Sequence, residues 1–320
     1  MNKRAKTRLI IAAILVLAGC ILFGGAMTML NWDFTKLSTI QYETTEHKIE
    51  AAYKNISILT NTADILFVPC EAATGSVICY EQNNQKHSVA VADDTLMIRL
   101  VDKRRWYEYI GITFSTPKIT VYLPQDRYDA LSIKSDTGDV EIPKEFHFNS
   151  IDIAEHTGNV TLQAAALGCA KIETTTGNIC IEHTSAEELD LTVHTGRISV
   201  TSVTCMGDTR VRVTTGKTEL TDLTCNNLTT EGDTGDIFLR NVIASEKFFI
   251  TRSTGDVKFE GCDAGEIFIK TDTGDISGSL LTQKVFMTQT DTGNIHVPKT
   301  ITGGVCEAIT NTGDIRFEIQ

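Results

Sequence analysis

Phe248-Phe249-Ile250-Thr251-Arg252-Ser253-Thr254-Gly255-Asp256-Val257-Lys258-Phe259 reads as two short strands joined at a Thr-Gly bend. Phe248 and Ile250 before the bend, and Val257 and Phe259 after it, alternate with other residues, the spacing that puts apolar side chains on one face of a strand. The same unit recurs along the chain. Thr-Gly pairs end at Gly138, Gly158, Gly177, Gly196, Gly216, Gly235, Gly255, Gly274, Gly293 and Gly313, in steps of 19 or 20 residues. Leu131 and Ile133 are answered by Val140 and Ile142, and Ile151 and Ile153 by Val160 and Leu162. Pairs ending at Gly75 and Gly303 fall out of phase and are set apart.

Such a unit suits either a meander of hairpins turning at Thr-Gly or a solenoid in which each repeat is one coil. Turn chemistry separates the two. A two-residue type I′ hairpin needs positive φ at both central positions, which is costly for a β-branched Thr, whereas glycine alone at positive φ suits a bend between successive strands of one coil. A near-constant period follows when each coil must cover the one beneath it, burying an apolar column that no single repeat could bury. The expected fold is therefore all-β, a parallel β-solenoid (β-helix) of about ten coils of 19 to 20 residues with the glycines at its corners. At about 4.8 Å per coil, ten coils make a rod about 48 Å long. The number of faces per coil is not legible.

Upstream, Ile56-Ser57-Ile58-Leu59-Thr60-Asn61-Thr62-Ala63-Asp64-Ile65 copies the repeat with Ala63 in the glycine's place. Short β-type runs follow at Val77 to Tyr80, Ser88 to Val91, Leu96 to Val101 and Lys118 to Leu123, with Pro124 before the regular array. A solenoid end exposes unpaired strand edges, so a divergent cap is expected there. The chain divides accordingly into a stub at 1–8, a transmembrane helix at 9–30, a linker at 31–54, a capping coil with inserted strands at 55–128 and regular repeats at 129–320.

Leu9 to Leu30 is a run of 22 residues without a charge. At about 1.5 Å per residue it makes about 33 Å of helix, enough to cross a bilayer. Lys3, Arg4, Lys6 and Arg8 precede it and Asp33 follows, so the positive-inside bias predicts a cytoplasmic N-terminus, a single span in contact with membrane lipid, and an extracellular body. Leu17-Ala18-Gly19-Cys20 also resembles a lipobox, which makes Cys20 a lipidation candidate. Against cleavage there, the segment stays apolar for ten residues past Cys20, whereas a signal peptide's apolar region stops near its cleavage site. Both readings place the body outside, at the membrane.

The formal net charge is −12, and −12 − 4 = −16 without the four N-terminal cations. Such a body repels phosphate backbones, so nucleic acid is not an expected partner. With 42% hydrophobic residues and 5 Pro, the chain can bury a core and is not disordered in composition. Its nine cysteines contain no CxxC and match no metal or redox spacing; small buried apolar roles are expected for most. Cys205 and Cys225, each nine residues after a Thr-Gly, would stack in adjacent coils, although neighbouring parallel strands are not a relaxed disulfide geometry.

Asp-Thr-Gly at Asp136, Asp233, Asp272 and Asp291 matches the loop of aspartic proteases. Those enzymes need two such loops face to face. Here the motif recurs coil by coil, with His156, Thr175, His194, Thr214, Ser253 or Asn311 in the acid's place. The residue after each glycine stacks Asp236, Asp256, Asp275 and Asp314 along one corner, about 4.8 Å apart. A calcium ion would relieve their repulsion. The alternative is that Asp and Asn serve the bend itself by bonding nearby backbone amides. Arg197 and Lys217 interrupt the column and the calcium nonapeptide is absent, so structural corners are favoured and calcium is the one cofactor option. Asp256, Asp275 and Glu266 would be the acids of a polysaccharide lyase or hydrolase, but nothing separates them from the rest of the ladder. His47, His87, His147, His156, His183, His194 and His296 occur singly, and no GxSxG, HExxH, P-loop or GxGxxG context is present. The chain is not expected to be an enzyme. Lys103-Arg104-Arg105-Trp106-Tyr107-Glu108-Tyr109-Ile110-Gly111 would either meet lipid headgroups or a partner, or seal the cap's core with Trp106, Tyr109 and Ile110; the second is favoured.

The charged start, the single apolar span, Asn31-Trp32-Asp33-Phe34-Thr35-Lys36-Leu37-Ser38, the Trp106-Tyr107 region, Pro117-Lys118-Ile119-Thr120-Val121-Tyr122-Leu123-Pro124 and the serial Thr-Gly-Asp-Ile/Val repeats resemble the bacterial β-strand-repeat family of unknown function that carries the label "putative adhesin". The resemblance spans nearly the whole chain and brings no catalytic residues with it. It implies a membrane-anchored extracellular solenoid linked to envelope sensing or adhesion; the rod's exposed faces, rich in Thr, Ser, Asp and Asn, suit a non-enzymatic surface module that binds envelope glycan or protein or serves as a scaffold. An accessory part in envelope-stress sensing and a glycan-cleaving enzyme are the two alternatives.

Overall fold

The computed structural model describes residues 3–38, 40–72, 74–106, 113 and 115–320. An apolar helix, α1 (Lys3–Met29), stands at the N-terminus with Leu9, Leu15 and Leu22 exposed. Its stretch Lys6–Met29 is long and apolar enough to cross a membrane.

The rest is a β-solenoid of about ten turns whose strands join one sheet. Neighbouring turns run parallel and in register at the Thr-Gly bends: Thr137 pairs with Thr157 and Thr157 with Thr176, Thr195 with Thr215, and Thr234 with Thr254. Each turn has three sides. In one of them Leu189, Leu191 and Val193 face inward, then Ile198 and Val200, then Val203 and Cys205. The bends between these sides fall at Gly196 (φ 147°), at Ser202 (φ 54°) and at Met206-Gly207. The apolar positions therefore form continuous inward columns. Burying a side chain of Val, Leu or Ile size contributes about 1.5–3 kcal/mol, and the gain is realised only when the next turn covers it.

The second bend was not visible in the glycine period. His183, Ser202, Asp222, Asn241 and Gly261, each six residues after a corner glycine, all take left-handed φ between 50° and 62°. The backbone requirement recurs, but a different residue answers it each time. Asn241 also donates through Nδ2 to Asp222 Oδ1 at 2.9 Å, tying two turns at this edge.

At both ends the stacking order departs from the chain order. The N-terminal strands are β1 (Tyr42–Lys48), β2 (Asn55–Leu59), β3 (Asp64–Cys70), β4 (Ser76–Gln82), β5 (Gln85–Ala92), β6 (Thr95–Asp102), β7 (Lys118–Pro124), β8 (Arg127–Thr137) and β9 (Val140–Ile142). β2 lies between β6 and β8, and β3 between β7 and β9, all parallel. The turn made by β6 and β7 is thus outermost. β4 runs antiparallel on β7, β1 antiparallel on β4, and β5 antiparallel on β6. The stretch read as a linker, 31–54, is therefore partly strand: Tyr42–Lys48 pairs along its whole length with β4.

The C-terminus mirrors this arrangement. Gly304–Thr312 pairs with Glu266–Thr273 on one side and Lys284–Thr292 on the other, and Ile315–Ile319 lies between Ile276–Leu280 and Ile295–His296. The expectation that every coil lies on the preceding one fails here: Gly313 stacks on Gly274, and Gly293 stacks on Gly313. The last repeat is thereby covered on both edges, Gly304–Thr312 along its length and the final strand at Ile315 and Arg316, and the outermost edge passes to Lys284–Thr292. Gly303, out of phase in sequence, takes φ 104° and packs against Gln283 O.

Candidate functional site

The corner glycines Gly138, Gly158, Gly177, Gly196, Gly216, Gly235, Gly255, Gly274, Gly293 and Gly313 form one column with φ between 123° and 158°. A Cβ on Gly177 would lie 1.8 Å from Gly158 O, so the bend needs glycine for room as well as for φ. Where the next residue is Asp or Asn and a further turn covers it, its side-chain oxygen accepts from that neighbouring turn. Asp236 Oδ1 accepts the Asp256 N–H at 3.1 Å, Asp256 Oδ1 the Asp275 N–H at 2.8 Å, Asp275 Oδ1 the Asp314 N–H at 2.7 Å, and Asp314 Oδ1 the Asn294 N–H at 2.7 Å. The same bond runs from Asp64 through Asp139, Asn159 and Asn178 to the Arg197 N–H. The four ladder acids are thus brought together as a chain of backbone hydrogen bonds, and Asn serves in it as well as Asp. Glu266 is not with them; it pairs with Lys247 at 2.9 Å.

Three residues before each glycine an inward column runs through the core, and two of its members are charged. Glu155 lies between Ser135 and Thr174 and is 3% exposed. Burial pushes its carboxyl up to about 7. Arg252, also buried, donates through Nη1 to Val213 O at 2.7 Å, two turns away. It reaches that carbonyl over Gly232, where a Cβ would meet Nη1 at 2.1 Å. Burial lowers the Arg252 pKa, and Asp233 and Asp236 oppose that shift.

On the outside, one face differs from the rest. Phe249 and Phe268, in register on adjacent strands, stack with ring centroids 5.0 Å apart and planes at 11°. Two residues earlier on the same face, the Lys247–Glu266 pair borders a groove of about 690 Å³ that Asn226, Asn227, Ser245 and Gly304 also line. Ser245 Oγ donates to Asn226 Oδ1 at 2.7 Å. The groove runs across successive turns, because Asn227 pairs with Lys247, Lys247 with Glu266, and Gly304 packs on Gly265. A polar trough beside an aromatic ridge can offer hydrogen bonds and an apolar contact to one elongated ligand at once.

Histidines read as isolated in sequence are not all isolated in space. Glu81 Oε2 accepts from the His87 backbone N–H at 2.6 Å and lies 2.8 Å from His87 Nδ1, while Thr60 Oγ1 lies 2.9 Å from His87 Nε2. Cys79 is on the same inward face of β4 as Glu81. Burial pushes the Cys79 thiol up to about 12 and lowers the His87 pKa against the pull of Glu81. The sequence signal was present but cryptic: two alternate strand positions, an Asn83-Asn84 turn, and a return strand that brings His87 back over them.

Trp106 does not seal the cap's core, since it is 80% exposed. A side chain can reach the interior only if its strand position points inward, and Trp106 lies past the end of β6. Tyr107, Tyr109 and Ile110 lie outside the described residues. Arg104 pairs with Asp102 at 2.6 Å. Cys20 is exposed on α1, and all nine cysteines are free thiols, Cys205 and Cys225 included.

The model of the Toastrack DUF4097 family matches residues 53–217 and 206–320. Among solved structures, a "putative lipid binding protein" from Parabacteroides distasonis superposes with a TM-score of 0.50 at 15% identity, over 88% of this chain and 98% of the other. A "putative adhesin" from the same organism gives 0.47 at 13% identity over 87% and 98%. Another from Bacteroides fragilis gives 0.41 at 16% identity over 87% and 97%. The likeness at a TM-score of 0.50 is one of fold alone. No curated protein matches the chain in sequence.

Proposed function

The chain belongs to the Toastrack DUF4097 family, and from that premise we propose that it is a non-enzymatic, membrane-tethered surface protein whose outer face binds a neutral glycan polymer. The four cations at the start of α1, Lys3, Arg4, Lys6 and Arg8, favour an N-terminus held in the cytoplasm, with the solenoid exported. The observation that carries the reading is the stacked Phe249–Phe268 pair beside the polar groove. A saccharide ring has an apolar C–H face and a rim of hydroxyls, and the ridge and trough offer a partner to each. A groove that continues across turns suits a repeating chain better than a compact ligand. The net charge of −12 disfavours an anionic polymer.

The test is binding of the detergent-solubilised full chain to an immobilised panel of neutral and acidic polysaccharides. We expect retention on a neutral polymer and at least about a tenfold loss in Phe249→Ala/Phe268→Ala, since each lost aromatic contact removes on the order of 1 kcal/mol and tenfold corresponds to about 1.4 kcal/mol. Equal binding by the double variant, with an unchanged β-sheet circular dichroism spectrum, would rule out this face. New reducing ends in the incubations would instead show an enzyme.

A further inference from the structure

The buried polar cluster of the cap serves neither the corners nor the outer face. We propose that Cys79, Glu81 and His87 hold a divalent transition metal ion, zinc by its ligand chemistry, with His47 as the fourth donor. The three side chains offer a sulfur, a carboxylate oxygen and a ring nitrogen that all lie within 4.8 Å of one another. All three are interior, at 0%, 1% and 4% exposure for Cys79, Glu81 and His87.

The hydrogen-bond accounting points to a missing partner. Glu81 Oε2 takes both contacts from His87, yet Glu81 Oε1 is buried with no partner at all. His47 Nε2 is likewise buried and unpartnered. Both carboxylate oxygens would be paired in a network that existed only to satisfy itself, because an orphaned polar atom in the interior is destabilising. His47 is placed to contribute. Thr45 pairs with Cys79 and His47 with Val77 across the antiparallel strands β1 and β4, so His47 stands one pleat from Cys79 on the same face.

The second coordination layer is also in place. Metal-ligating histidines keep a hydrogen bond on the ring nitrogen that faces away from the ion, and His87 Nε2 already has Thr60 Oγ1 at 2.9 Å. A cavity of about 340 Å³ lined by Asn83, Asn84, Lys86, Ser88, Val101 and Lys103 adjoins His87. The donor set selects the ion. Calcium and magnesium prefer all-oxygen shells, whereas a thiolate, an imidazole and a carboxylate suit zinc. On binding, the Cys79 thiol loses its proton to solvent and the thiolate sulfur bonds the ion, with no change in oxidation state. The site would fasten β1, β4 and β5 to one another and, through Thr60, to the first turn of the solenoid.

The experiment uses the full chain in detergent, stripped with chelator and titrated with zinc, and separately with cobalt(II). We expect one zinc per chain by metal analysis, a thermal midpoint that rises with zinc, and a thiolate-to-cobalt absorption band. In Cys79→Ser the band disappears and zinc affinity falls at least about tenfold, the range seen when a shell around such a metal is damaged. Glu81→Gln, which keeps the side chain's size, is the second variant and loses affinity likewise. Circular dichroism establishes that each variant is folded. The proposal is overturned if the folded wild-type chain binds no zinc, or if the cobalt band and the zinc affinity survive unchanged in both variants, in which case the cluster is a hydrogen-bonded knot and any metal binds elsewhere. Glycan retention by the zinc-free chain, measured on the same panel, separates failure here from failure of the outer face.

Discussion

Glu155 is the residue whose environment most directly sets a pH dependence. Its carboxyl sits in the inward column with its pKa raised to about 7 from the usual 4.5. The folded chain therefore holds this proton more tightly than the unfolded chain does. The resulting stabilisation is complete below about pH 4.5 and is lost as pH rises through about 7. A rise of that size corresponds to about 3 kcal/mol, at about 1.4 kcal/mol for each unit. Chemical denaturation of Glu155→Gln should show this slope between pH 4.5 and 7 removed and a chain more stable than wild type above pH 7. A slope unchanged by the substitution would mean that Glu155 ionises freely in the folded protein. Arg252 makes a contrast. It is buried as well, but Val213 O accepts from it and Gly232 leaves it room, so the column tolerates one cation as a bridge between turns and one acid that holds its proton up to about pH 7.

At the scale of the element, the corner ladder decides between an ion site and a bend device. Every ladder acid gives Oδ1 to a backbone N–H of the adjacent turn, and Asn159, Asn178 and Asn294 take part in the same run. An acceptor is what the bend requires, and a charge is incidental to it. Asp256→Asn keeps the acceptor and relieves repulsion from Asp236 and Asp275, so it should leave stability level or raise it. Asp256→Ala removes the bond to the Asp275 N–H and should cost about 1 kcal/mol. Calcium at millimolar concentration should move the thermal midpoint of neither variant nor wild type relative to chelator. A calcium-dependent rise abolished by both substitutions would restore the ion reading. The corners were legible in sequence because glycine is the single residue that meets both the φ and the space at Gly177. The second bend was not, because His183, Ser202, Asp222 and Asn241 reach left-handed φ by different means. Asp222, Asn241 and Gly261 at one offset were nevertheless a signal that an Asx and glycine count would have found. The cap cluster was hidden for another reason: Cys79, Glu81 and His87 become neighbours only once a hairpin folds, and strand-by-strand reading cannot show which strands meet.

For the whole molecule, parallel stacking and the apolar columns follow from the repeat, but the order of the outermost turns does not. Each turn carries the same local pattern, so nothing in the sequence distinguishes Gly293 lying on Gly274 from Gly313 lying there. The difference is in what each arrangement protects. With the last repeat inserted between Glu266–Thr273 and Lys284–Thr292, Gly304–Thr312 is hydrogen-bonded on both edges, and fraying it requires opening two interfaces instead of one. The N-terminus follows the same logic, with β2 and β3 held between the turn of β6 and β7 and that of β8 and β9. A chain ending at Gly303 would test this. In an order-preserving solenoid, removing 304–320 deletes a terminal turn and leaves residues 284–296 seated on their neighbour. In the threaded arrangement the same cut removes the only turn that 284–292 pairs with among the described strands, and exposes the edge of Glu266–Thr273 as well. Hydrogen exchange of the truncated chain should therefore show amides of 284–296 exchanging as an unfolded segment, while those of 189–254 keep their protection. Retained protection at 284–296 would show that this segment can take the vacated place on Glu266–Thr273, and that threading is a choice between near-equal stacks instead of a requirement of the fold.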